Sequence, residues 1–194
     1  MKDEELAEKR YWERRKKYTG TDTGIYFEDE LLEFVEACLF KKAGVLIPAV
    51  FQDMTPEEAR KKYPSEQRPQ IIKTNKSGSV NFAFNLLEQK LEEEQLEAVL
   101  QDFLRVMKRL HPTNICLNME SGRKNERYMP YASMEFTSTA INENLYNMIV
   151  ISPIEEELLM MLFNCPFEQR TEWLISLAQI RESIVCYREG DTGK

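Results

Sequence analysis

Apolar side chains recur at steps of three and four over Leu96, Val99, Leu100, Phe103, Leu104, Met107 and Leu110, with Glu and Gln on the opposite positions. That period places one apolar stripe on a helix, and His111-Pro112 ends it because proline cannot continue the ladder. Upstream, Val80, Phe82, Phe84 and Leu86 alternate with Asn81, Ala83 and Asn85. A period of two predicts a strand. Alternation returns at Ile115, Leu117 and Met119 and, after the polar turn SGRKNE, in MPYASMEFTST. LYNMIVIS and ELLMMLF are apolar at nearly every residue, so both are expected to be covered on two faces. Their short link, PIEE, predicts antiparallel pairing. Pro166 then opens a closing helix whose inward stripe is Trp173, Leu174, Leu177, Ile180 and Ile184.

The N-terminal half is less regular. Residues 1–18 carry acids early and bases late, an order that complements a helix dipole, and TGTDTG reads as a linker. The expected organisation is a charged helical arm and linker over 1–24, one domain over 25–190 and a disordered tail over 191–194. Phe27, Leu31, Phe34, Val35, Cys38 and Leu39 fit a helical stripe, yet ACLF-KKAG-VLIPAVF reads equally as a hairpin turning near Gly44. Residues 27–41 are therefore open between helix and strand. Thr55, Pro56 and Glu58 make a capping box for a short helix. Pro64 and Pro69 bracket KYPSEQRPQ, which is expected to run extended over the surface.

A run of strands with no helix between them excludes a parallel doubly wound sheet. The predicted class is α+β, an α/β/α sandwich with a central antiparallel sheet covered by helices on both faces. The 194 residues suit one domain and an arm. No uninterrupted apolar stretch approaches the roughly 20 residues of a membrane span, and the start lacks the apolar core of a secretory signal. The net charge of -7 does not favour a nucleic-acid partner, since phosphate binding needs clustered bases. Arg10, Arg14, Arg15, Lys16 and Lys17 do cluster near Tyr11, Trp12 and Tyr18, but neighbouring acids dilute them. Four scattered cysteines make no disulfide framework, which predicts reduced thiols and a cytoplasmic setting.

Chemistry-bearing motifs are few. One histidine and no CxxC give no zinc set, and glycine is too sparse for a phosphate-cradling loop. No metal and no cofactor are expected. The sharpest enzymatic feature is Cys165, read as sitting at a helix start where the dipole would lower its pKa. The alternative is a small buried residue at a strand-to-helix corner. Lys62, Tyr63, Glu66 and Arg68 stand on the proline-bracketed loop as candidate protein-interaction residues, because a stiffened loop loses little entropy on binding. The plain alternative has Tyr63 packed on the sheet and Arg68 paired with a carboxylate.

The progression VLIPAVFQDM, KYPSEQRPQIIKTN, VNFAFNL, a long amphipathic helix, YNMIVISPI and LLMMLFNCP is similar to bacterial domains of unknown function. These share the fold of PsbP, a photosystem II extrinsic subunit, and of the yeast Ran-binding nucleotide-release factor. The resemblance spans about residues 34–186, and its most specific parts are KYPSEQRP (62–69) and FNCP (163–166) followed by Trp173. It implies a PsbP-like sandwich and protein binding without catalysis. The expected function is a non-catalytic cytosolic protein-binding or adaptor domain whose partner is another protein, with no membrane insertion. The competing expectation is a small enzyme using the Cys165 thiol as nucleophile.

Overall fold

The computed structural model describes residues 9, 12, 13, 16–66, 68–140 and 143–187. Strands β1 (Thr19–Gly20), β2 (Gly24–Phe27), β3 (Glu30–Leu32), β4 (Phe34–Leu39), β5 (Ala43–Pro48) and β6 (Gln52–Asp53) precede helix α1 (Pro56–Lys62). Then come β7 (Ile71–Thr74), β8 (Asn81–Leu87) and helix α2 (Leu96–Leu110). Strands β9 (Ile115–Gly122), β10 (Tyr131–Thr139), β11 (Asn144–Ile154) and β12 (Glu157–Pro166) lead to helix α3 (Arg170–Arg181) and strand β13 (Val185–Cys186).

The central sheet is antiparallel and seven-stranded, in the order β6-β7-β8-β12-β11-β10-β9. β11 and β12 lie inside it, which is why their sequences are apolar on both faces. On one face α2 sets Leu96 and Leu100 against Ala132, Met134, Ile151 and Leu158. On the other, Trp173 of α3 meets Phe163 and Phe27 with ring centroids 5.3 and 5.2 Å away. Phe51 and Phe82 close the same aromatic cluster. The fold is thus α+β with a helix on each face. Beside α3 the cover is completed by two small three-stranded sheets, β1-β2-β3 and β13-β5-β4.

The open alternative at 27–41 resolves as strands. The hairpin turns at Phe40 and Lys41, both in the left-handed region at φ 55° and 59°, rather than near Gly44. Gly44 lies inside β5, where a Cβ would collide with the Tyr187 hydroxyl and Val185. The stretch read as a linker is also paired: Thr19 and Gly20 face Ile25 and Gly24, and the Thr21 amide donates to Gln179 of α3 at 2.6 Å. Of the N-terminal arm, residues 9, 12, 13, 16 and 17 are helical, and its remainder lies outside the described residues, as does the tail at 191–194.

Candidate protein-interaction site

Helix α1 starts as its capping box requires. The Glu58 amide donates to Thr55 Oγ1 at 3.3 Å and the Thr55 amide to Glu58 Oε2 at 3.0 Å. The Thr55 side chain also holds the Glu58 carboxyl below its usual range. At the other end the Tyr63 amide donates to the Ala59 carbonyl at 2.8 Å, and Pro64 forbids a further turn. Residues 63–66, 68 and 69 have no regular structure, and the Gln70 amide donates to the Phe84 carbonyl at 3.0 Å.

Of the four candidate residues, Lys62 closes α1 rather than standing on the loop as expected, because the helix runs up to the residue pair before Pro64, and it and Tyr63 are tied back to the fold. The Lys62 ammonium donates to the Gly78 carbonyl, and desolvation lowers its pKa. Tyr63 is half-buried, accepts from Asn164 Nδ2 at 3.4 Å, and has its pKa raised by burial. Glu66 is exposed and Arg68 half-buried. Tyr63 ends a polar row that crosses the sheet: Asn164 accepts from Asn81 Nδ2 at 2.9 Å, and Asn81 accepts from Thr74 Oγ1 at 2.8 Å. Thr74, Asn81 and Asn164 are register partners on β7, β8 and β12, so their side chains share a face.

Lys62 also lines a cleft of about 1270 Å³ between α1, the β2–β3 turn and the β7–β8 turn. Its charges are mixed, with Glu28, Glu30 and Asp53 facing Lys61, Lys62 and Lys76. Tyr63, Glu66 and Arg68 stand outside it, so the structure does not gather the four residues into one pocket.

A second concavity was not legible in the chain pattern. A groove of about 470 Å³ runs along the C-terminal turns of α2, walled by Phe103, Val106 and Leu110 and floored by Phe136 and Ile149. Val106 is 44% exposed and Leu110 61%. Leu110 belongs to the predicted inward stripe but lines the groove instead, and within α2 only Leu96 and Leu100 are fully buried. His111 caps the helix and, with Thr113 and Asn114, closes the groove.

Cys165 does not start a helix. It is the penultimate residue of β12 and its side chain is buried, while a 3-10 turn at Phe167–Gln169, with Pro166 at its N-cap, leads into α3 at Arg170. Desolvation pushes the thiol up to about 12, the reverse of an activated nucleophile. The premise of the thiol-enzyme reading is therefore corrected. The densest ionic cluster is structural in form: Arg181 donates to Glu120 at 2.5 Å and to Ser133 at 3.3 Å, and stacks over Tyr131 at 5.4 Å.

With this geometry in view, similarity to solved structures decides the architecture. The cyanobacterial PsbP (CyanoP) solution structure from Synechocystis sp. PCC 6803 superposes with a TM-score of 0.60 at 9% identity, covering 86% of this chain and 99% of that one. The chain has the PsbP-like fold. LpqN of Mycobacterium tuberculosis, described as involved in cell envelope biogenesis, matches with a TM-score of 0.50 at 7% identity over 88% of this chain and 99% of its own. A Pseudomonas aeruginosa protein of unknown function, a putative regulator by its description, matches at 0.42 and 10% identity over 80% of this chain and 98% of its own, too distant to argue from. No family model and no curated protein matches the sequence. At these identities the PsbP-like likeness concerns the fold alone.

Proposed function

We propose that this PsbP-like chain is a non-catalytic protein-binding or adaptor domain working in the cytoplasm. Its partner is another protein, and neither nucleic acid nor a cofactor takes part. The observation that carries this reading is the groove beside α2, where Val106 and Leu110 stand exposed above an apolar floor. Grouped exposed apolar side chains in a concavity mark a binding surface, and helix-in-groove docking uses such a surface. Arg109, in the last turn of α2, adds a base near the groove, so the fitting occupant is an amphipathic helix whose apolar face is flanked by acids. The cysteines here are free thiols, as a reducing compartment would keep them.

Affinity capture with the wild-type chain and with a Val106→Glu/Leu110→Glu variant tests the reading. A protein retained by the first and lost by the second supports it. Identical recoveries from both would sink it. A Tyr63→Ala/Arg68→Ala variant run beside them separates the 63–68 loop from the groove as the contact.

A further inference from the structure

The two edges of the central sheet are unequal. One ends in the two-residue β6; the other is the eight-residue β9. Long edge strands are normally blunted with lysine, proline or inward charge, because their unpaired amides and carbonyls recruit other strands. β9 contains neither lysine nor proline; what blunts it is one bulge at Leu117 and one charge, Glu120, which Arg181 engages. Ile115 is 62% exposed, and Leu117, the extra residue where the register with β10 slips, is 40% exposed.

The charge order of α2 says what fits there. Glu97 bonds Ser121, Gln101 Nε2 approaches Met119 Sδ at 3.6 Å, and Glu93 pairs with Arg123 at 2.5 Å. The helix therefore runs antiparallel to β9. Steps of three and four carry this β9-side row from Glu93, Glu97 and Gln101 to Arg105 and Lys108, acidic at one end and basic at the other. We propose that β9 is the contact between two copies of this chain, paired antiparallel about a two-fold axis perpendicular to the sheet.

That operation leaves both α2 helices on the same face and antiparallel. The acids of each copy then oppose the bases of the other, twice, as an isologous interface requires. Arg105 is already paired with Asp102, whereas Lys108 has no ion pair among the described residues, so Lys108 is the base available for this contact. Because α2 lies chiefly over β10, the two helix axes stand three strand spacings apart, roughly 14 Å. Helices in apolar contact sit at about 8–10 Å, so this gap suits long charged side chains rather than an apolar seam. A parallel β9 pair would put the helices on opposite faces and forfeit the match. No groove-lining residue lies in β9, so the dimer leaves the groove open and stands or falls independently of it.

Sedimentation equilibrium of the full chain in low salt tests the interface. The expected result is a species of twice the 22.9 kDa chain mass whose dissociation constant rises with ionic strength. Lys108→Glu should weaken it about tenfold or more, and Glu97→Lys added to Lys108→Glu should restore most of the loss. Leu117→Lys should give monomer, with an unchanged melting curve showing that the fold survives. A chain that stays monomeric to near-millimolar concentration overturns the proposal, as does a dimer indifferent to both Lys108→Glu and Leu117→Lys. A monomer whose β9 amides gain protection only when a different protein is added assigns the edge to that protein and also overturns it.

Discussion

Asn81 and Asn164 face each other across β8 and β12, and the Asn81 amide donates to the Asn164 carbonyl oxygen at 2.9 Å inside the sheet. Both are buried, and each has a further partner, Thr74 on one side and Tyr63 on the other. Removing either partner alone strands a polar group in a dry layer. Asn164→Ala should destabilise by roughly 1–3 kcal/mol, and a double-mutant cycle with Asn81→Ala should be clearly non-additive. Urea denaturation reads both, and additive losses would show that the two amides act separately.

Trp173 and Phe103 both belong to predicted helix stripes, but their surroundings differ. Trp173 is fully buried among the rings of Phe27, Phe51, Phe82 and Phe163, whereas Phe103 is half-buried on the groove wall. Trp173→Ala is expected to destabilise by about 3–5 kcal/mol, as a large core truncation does. Phe103→Ala should cost about half as much, since part of its surface already meets water. Equal shifts in the denaturation midpoint would contradict this ordering.

Arg181 is a buried cation on α3 that reaches Glu120 on β9 and Ser133 on β10. Arg181→Met leaves Glu120 partly solvated but also removes the cation 4.0 Å from the largely buried Glu135, so the loss should be about 3 kcal/mol. Hydrogen exchange should show it as faster opening of β9 and β10 relative to β8. Uniform acceleration across the sheet would mean that Arg181 does not pin this edge.

Burial raises the Cys165 thiol from its ordinary value near 9 to about 12, and Tyr63 and Tyr146 move in the same direction from 10. A folded-state pKa above the unfolded one contributes stability that is complete below the unfolded value and lost as pH rises towards the folded value. The urea midpoint should therefore fall as pH rises from about 9 towards about 12, less steeply in Cys165→Ala. Near pH 8, iodoacetamide should label the exposed Cys38 well before Cys165. Prompt Cys165 labelling in the folded protein would refute the buried assignment.

The regular half of the fold was legible because periodicity is a local property. The apolar runs of β11 and β12 and the stripe of α2 each announce their element without reference to anything distant. At 27–41 the local signals for helix and strand were balanced, and pairing with β5 decided for strand. The end of α1 ahead of Pro64 was legible from proline placement. That Tyr63 ends a buried amide row, while Glu66 faces outward, follows from β7, β8 and β12 coming into register.

By itself the sequence determined an antiparallel α+β sandwich with α2 and α3 as its cover, since hydrophobic period and proline placement act over a few residues. Only the tertiary structure decided which side chains of those stripes meet water. Leu110 and Ile115 belong to the apolar patterns of their own elements yet stand exposed: Leu110 lies on the groove wall, and the slipped residue Leu117 turns Ile115 to the face opposite Met119. Cys165 went the other way, its thiol sealed beneath strands and α3 that lie far from it along the chain. Exposure depends on what long-range packing sets alongside a residue, and no short window of residues contains that.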